Sequence, residues 1–200
     1  MATTAVPTFP MTVQTGSAQV TIRHLAPGDR AALLVFARSL PEHDLLFLQR
    51  DITQDEVIDE WLRETQSTEG TTLIAEAPAG IVGYATVYRS GLAWTAHVAE
   101  LRVVVGPQVR GQGLGRILTQ QAFAIAQAQG IEKMVAQMTI DQEAAIATFQ
   151  GLGFRAEAVL RDHVRDRAGR KHDLLLLSHD VARFKIERAT YGIIDAFNRP

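Results

Sequence analysis

Residues Glu100 to Gly115 read Glu-Leu-Arg-Val-Val-Val-Gly-Pro-Gln-Val-Arg-Gly-Gln-Gly-Leu-Gly, an apolar strand that runs into a glycine-rich turn and then a helix. Gly111, Gly113 and Gly115 let the backbone approach a ligand and leave several amide N–H groups aimed the same way. At the start of a helix those donors add to the positive end of the macrodipole and favour a diphosphate. An ordinary strand-to-helix turn is the plainer alternative. Two nucleotide loops fail on spacing. A dinucleotide fold needs Gly-x-Gly-x-x-Gly in its first strand–helix unit, and an acidic residue at the end of the next strand. Here the glycines run Gly-x-Gly-x-Gly halfway along the chain, and Glu132 precedes the next predicted strand. A P-loop needs Gly-Lys before Ser or Thr, whereas Arg116 and Ile117 follow Gly115.

The chain has 200 residues, 46% apolar and 21% charged, which describes one globular domain with a real core. It contains no cysteine, so disulfides, zinc–thiolate sites and a cysteine nucleophile are excluded together. A net charge of −2 argues against sequence-independent nucleic-acid binding. No apolar run approaches a membrane span and the first residues carry no Lys or Arg, so the expected location is cytoplasmic, with no membrane partner.

Outward from the central stretch, Gln19 to His24 alternates like a strand, and Pro27-Gly28-Asp29 opens a helix to about Ser39. Residues 41 to 69 hold nine carboxylates against two arginines, with Thr53 as expected N-cap of a helix that buries Trp61 and Leu62. Thr71 to Glu76 and Ile81 to Tyr88 predict a hairpin around Pro78-Ala79-Gly80, and Ala96 to Val105 the next strand. Leu114, Ile117, Leu118, Ala122 and Ile125 mark one face of a helix ended by Gly130. A strand over Lys133 to Met138, a helix over Asp141 to Gln150, and a hairpin of Phe154 to Arg165 with His172 to Ser178 complete the pattern. This order predicts an α+β fold, an α/β/α sandwich with helices on both faces of one sheet. The expected organisation is a flexible segment over 1–17, a single domain over 18–180, and a C-terminal extension over 181–200. Val181, Phe184, Tyr191, Ile194 and Phe197 give that extension loosely helical spacing, and it packs on its own domain or, in a homodimer, on a partner.

Arg110-x-x-Gly113-x-Gly115 after the valine strand resembles the coenzyme A pyrophosphate loop of the GNAT superfamily of N-acetyltransferases. Val20-Thr-Ile-Arg-His-Leu with Pro27-Gly-Asp resembles its first strand and helix start, and Ala145-Ile-Ala-Thr-Phe-Gln-Gly-Leu-Gly-Phe154 its Ala-x-x-x-Tyr-x-x-x-Gly-Phe helix. Three blocks in the right order cover roughly Val20 to Ser178. The resemblance implies a GNAT-like, mixed but mostly antiparallel sheet with splayed central strands, and acetyl-CoA as cosubstrate without a metal. It implies a cofactor cradle from the backbone of Gln108, Val109, Arg110, Gly111, Gln112, Gly113, Leu114, Gly115 and Arg116, with charge added by Arg110 and Arg116. Val103, Val104 and Val105 would hold the pantetheine arm through main chain, and Gln142 and Phe149 fall at further cofactor positions. Glu100 matches a general-base glutamate of several members; strict alternation puts it on the same face as Arg102, where a solvated ion pair is the alternative. Phe149 departs from the usual tyrosine and has no hydroxyl for the departing thiolate, which leaves Tyr84, Tyr88 and His163 as candidate donors. It also keeps open a non-catalytic acyl-CoA-binding scaffold or regulatory protein. The acidic segment would attract a cationic amine to the acceptor side. The acceptor that the resemblance implies is a primary amine of a small molecule, or of a protein lysine or N-terminus. His163 and His172 flank the last hairpin turn without a third ligand nearby, so no metal is expected.

Overall fold

A computed structural model describes residues 7–181 apart from 17, 47, 49, 66–69 and 167. Eight strands form one sheet: β1 (Met11–Thr15), β2 (Ala18–His24), β3 (Gly70–Ala77), β4 (Gly80–Arg89), β5 (Val98–Val105), β6 (Lys133–Thr139), β7 (Arg155–Arg165) and β8 (Lys171–Asp180). Their order is β1-β2-β3-β4-β5-β6-β8-β7. Every neighbouring pair is antiparallel except β5 with β6. Three helices, α1 (Arg30–Ser39), α2 (Glu42–Leu46) and α3 (Asp55–Glu64), join β2 to β3; α4 (Leu114–Ala128) and α5 (Glu143–Gln150) follow β5 and β6. No described helix is long and apolar enough to cross a membrane.

The two faces of the sheet carry separate cores. Alternation sends Ile74 and Tyr84 to one side, where they pack with Leu33, Phe36, Ile58 and Trp61 of α1 and α3. Leu73, Ala85 and Leu101 point to the other side, against Leu114, Leu118 and Ala122 of α4 and Phe149 of α5. Trp61 is buried without an orphaned donor, because its indole N–H donates to Thr72 Oγ1 at 3.2 Å. Gly130, at φ +74°, turns the chain after α4, and Ile131 N–H closes on Ala126 O at 3.0 Å.

Two expectations are corrected. The segment expected to be flexible as far as residue 17 contains β1, paired along its whole length from Met11↔Ile22 to Thr15↔Ala18. Met11, Val13 and Thr15 alternate inward against Thr12 and Gln14, a period of two that the Thr-rich composition obscures. Thr53 does not cap α3; Gln54 stands there with no side-chain cap. The Thr53 N–H and hydroxyl both donate to Asp51 Oδ1, at 3.1 and 2.6 Å, which spends the side chain on a turn one residue too early. The C-terminal extension beyond Val181 lies outside the described residues.

A polar junction fixes where β2 ends. Asp29 Oδ2 accepts from Ala26 N–H at 2.8 Å, and Arg23 donates to both Asp29 oxygens at 2.8 Å each while its Nε reaches Glu76 Oε2 at 3.0 Å. The Arg23 hydrogen bonds hold the Asp29 carboxyl below its ordinary value, with the Ala26 N–H adding to the effect against the opposing cost of burial. A depressed native value means that this stabilisation is fully present above the unfolded value near 4 and lost as pH falls through the native one. Asp29→Asn is therefore expected to lower unfolding free energy by about 1–3 kcal/mol at pH 7. In denaturant titrations the gap between variant and wild type should shrink as the pH is taken below the native value.

Candidate active site

The parallel pairing of β5 with β6 is short, covering Val98↔Lys133, Ala99↔Met134 and Glu100↔Val135. Beyond Glu100, β5 stays paired to β4 as far as Gly83↔Val105, and β6 to β8 as far as Thr139↔Leu174. The two strands thus part and leave a gap inside the sheet. Gly106 N–H donates to Val82 O at 2.8 Å, so the strict alternation of an antiparallel ladder turns the backbone groups of residues 100, 102 and 104 toward β4. Those of Leu101, Val103 and Val105 face the gap. Arg110 Nε donates to Val105 O from that side at 3.1 Å. The side chains of Val103 and Val105 pack toward α4, and that of Val104 toward α1 and α3.

Directly after β5, Pro107–Val109 makes a single tight turn anchored by buried Val109. Gly111 at φ +73° and Gly113 at φ +85° then swing the backbone into α4 through left-handed conformations that favour glycine. A Cβ at either position would meet nothing within 4 Å, so these glycines border open space. Gly115 differs: it lies inside α4, and its Cβ would sit 3.5 Å from Val105 Cγ2 in ordinary contact. Gly113 is the N-cap and offers no side-chain oxygen, and the first turn of α4 has no acidic residue. First-turn N–H groups have no carbonyl one turn back to bond. Donors, dipole and open space together fit the diphosphate of coenzyme A.

Around this cradle, Gln112 Nε2 donates to Gln108 O at 3.3 Å, and the hairpin turn at Gly16 lies against the Gln112 side chain. Arg110 is not a loose cation, because Asp44 of α2 pairs with it. His43, beside Asp44, has Nε2 3.3 Å from Asp141 Oδ2 at the turn before α5. Short α2 thereby touches the loops on both sides of the gap. Arg116 lies in the first turn of α4, exposed, near Gly151. Gln142 is the N-cap residue of α5 and makes no side-chain cap. Phe149 is buried edge-on against Phe154, with centroids 5.0 Å apart.

On the α1 and α3 side a cleft of about 150 Å³ is lined by Leu48, Arg50, Ile52, Trp61, Glu64, Tyr84, Thr86, Tyr88, Glu100 and Arg102. Glu100 Oε1 accepts from Arg102 Nη2 at 2.6 Å, and Arg50 Nη1 lies 2.9 Å from Glu64 Oε2. The ion pair predicted for Glu100 and Arg102 thus exists, inside a cleft rather than on an open face. Burial pushes the Tyr84 phenol up to about 12, against partial offset from Arg102 and Arg50, so it stays protonated at neutral pH. Of the three predicted proton donors, Tyr84 and Tyr88 line this cleft. His163 sits on β7, separated from the gap by β8, and is not among the lining residues. His172 is committed to the hairpin, 3.0 Å from Asp166, which it and Arg170 hold down at about 2. Among the described residues no group of three His, Asp or Glu could hold a metal.

Sequence alone missed Arg50, Glu64 and the cleft role of Arg102. Tyr84, Thr86 and Tyr88 at every second position of β4, opposite Glu100 and Arg102, carried a signal for a polar face in an apolar sheet. Arg50 carried none. Four of the nine carboxylates in the predicted acidic segment pair with arginines: Asp55 and Asp59 with Arg30, Asp55 also with Arg38, Asp44 with Arg110, and Glu64 with Arg50.

The profile of the Acetyltransferase (GNAT) family matches residues 37–154, more than half of the chain. No curated protein matches it. Among solved structures, a ribosomal-protein-alanine N-acetyltransferase from Brucella melitensis is 26% identical with a TM-score of 0.71, covering 80% of this chain and 98% of its own. A GNAT-family acetyltransferase from Streptococcus pneumoniae is 24% identical at TM-score 0.71, covering 80% and 99%. YncA of Salmonella typhimurium, solved with its cofactor acetyl-CoA, is 24% identical at TM-score 0.71, covering 81% and 94%. Family profile, strand order and the parted central strands agree: the chain belongs to the GNAT acetyltransferase family.

Proposed function

We propose that the protein is an acetyl-CoA-dependent N-acetyltransferase that moves an acetyl group to a primary amine by direct attack in a ternary complex. One observation carries this: the uncapped N-terminus of α4 and the gap-facing backbone of β5 lead to a cleft lined by Glu100. Acetyl-CoA supplies an activated thioester when bound. The amides of Gly111 to Arg116 receive its diphosphate, and the gap-facing groups of Val103 and Val105 align its pantetheine arm as an added strand edge. The Val103 N–H donates to the thioester carbonyl as negative charge builds on oxygen.

Glu100 takes one proton from the acceptor ammonium and passes it to solvent, leaving a neutral nitrogen to attack. As the N–C bond forms and the C–S bond breaks, the departing sulfur takes the Tyr84 phenol proton and the second amine proton returns to the Tyr84 oxygen, restoring the phenol. Tyr84, protonated and lining the cleft, is the donor for that sulfur in place of the hydroxyl that Phe149 lacks. The products are an amide, free coenzyme A thiol and one proton. A non-catalytic coenzyme A-binding protein is the second reading, favoured by Phe149 alone.

Gly113→Val places a branched side chain at φ +85° in the cradle. It is expected to weaken coenzyme A binding at least ~10-fold by calorimetry with an unchanged circular dichroism spectrum; unaltered affinity would remove the cradle assignment. Glu100→Gln and Tyr84→Phe are each expected to lower kcat by about 10²-fold or more. Thiol release at wild-type rates in both variants would leave these residues without a chemical role, and coenzyme A binding without thiol release across an amine panel would favour the second reading.

A further inference from the structure

The cleft beside Glu100 holds more charge than removal of one proton requires. Its wall carries two guanidinium groups, Arg50 and Arg102, and two carboxylates, Glu64 and Glu100, so its formal charges cancel. A site for a polyamine or a lysine side chain needs surplus negative charge, because each added cation must be neutralised away from water. In the neighbouring helix α3, Asp55, Asp59 and Glu64 are already paired with arginines, and two guanidinium groups line the cleft with Glu64 and Glu100 as its carboxylates.

Both guanidinium groups line the same cleft, and both act electrostatically on the Tyr84 phenol in its wall. Arg50 Nη1 is shielded from solvent and has no hydrogen-bond partner, so its 2.9 Å approach to Glu64 is an ion pair without hydrogen-bond geometry. Arg102 gives Nη2 to Glu100, while a guanidinium carries five N–H donors in a fork suited to a planar anion. Apart from Thr86, the rest of the lining is aromatic and aliphatic, with Trp61, Tyr84, Leu48 and Ile52 beside the charges, and the volume is that of a small molecule rather than a folded partner.

We infer that the acceptor is a small zwitterionic amine of the α-amino acid class, its amine beside Glu100 and its carboxylate on Arg50 and Arg102. This rests on the acetyl-transfer reading and narrows its substrate. The carboxylate satisfies the donors that Arg50 and Arg102 present, the ammonium replaces Arg102 as partner of Glu100, and the side chain lies on the apolar wall. The acetylated product loses its positive charge and keeps the anion, so the contact with Glu100 weakens while that with the arginines persists.

The test compares, on the full chain, thiol release from acetyl-CoA with the twenty α-amino acids, with the decarboxylated amine of the best of them, and with spermidine and a lysine peptide. The amino acid is expected to exceed its decarboxylated amine by about 10- to 100-fold in kcat/KM, the worth of a charge-assisted hydrogen bond pair. In Arg50→Met that ratio should fall to within a few-fold of one through a rise in amino acid KM, and Arg50→Lys should recover part of it. Equal or faster turnover of the decarboxylated amine, spermidine or the peptide would overturn the inference, as would a ratio that Arg50→Met leaves intact. Should Arg50→Met fail to fold, the wild-type ratio and Arg50→Lys decide. Calorimetry separates the two levels: lack of coenzyme A binding overturns the cofactor reading, whereas coenzyme A binding without amino acid binding to that complex overturns only the acceptor inference.

Discussion

Everything chemical in this protein depends on two strands that stop pairing. β5 and β6 run side by side for three residues and then part at Glu100 and Val135, each still held by its outer neighbour. A sheet interior that ends pairing leaves backbone donors and acceptors without partners, a cost that is tolerated only where something else can satisfy them. The sheet is otherwise continuous from β1 to β7, so the break is local. It opens where β5 delivers the chain to the start of α4, and the unpaired strand edge and the helix N-terminus become one surface.

Much of this was legible in the residues. The run of valines before three closely spaced glycines announced strand, turn and helix start, and alternation assigned Glu100 and Arg102 to one face. Apart from α2 and the β1–β2 hairpin, the helices and hairpins around it followed from periodicity and turn residues. What escaped has physical causes. β1 hid because threonine and glutamine on an edge strand resemble a loop by composition, although Met11, Val13 and Thr15 keep the period. Arg50 hid because it comes from an irregular stretch between α2 and α3, where no periodicity links it to β5. Its meaning arises only when α3 brings Glu64 and Trp61 over Tyr84. Phe149 was legible in identity but not in consequence, since a packed ring says nothing about which other group faces the sulfur.

The charged residues of α1, α2 and α3 act as fasteners. Arg30 ties α1 to two carboxylates of α3, Arg38 adds a second tie to Asp55, and Asp44 joins α2 to Arg110 beside the cradle. Individually such exposed pairs contribute little stability. Their effect is geometric, because they fix helices with short apolar faces over the open part of the sheet and so set the walls of the cleft.

The glycine turn before α4 has a consequence for how such a chain drifts over generations. Its donors belong to the main chain, and main-chain amides survive any exchange of side chain except to proline. Between Gln108 and Arg116 only the two positions with left-handed backbone, Gly111 and Gly113, are tied to one residue type by conformation. The other positions can be rewritten one at a time without deleting a donor, so their identity is available to tune neighbouring contacts such as that of Gln112 with the hairpin turn at Gly16. Recognition written in the backbone tolerates change in the alphabet around it, whereas the proposed acceptor cleft, lined by the side chains of Arg50, Glu100 and Arg102, does not.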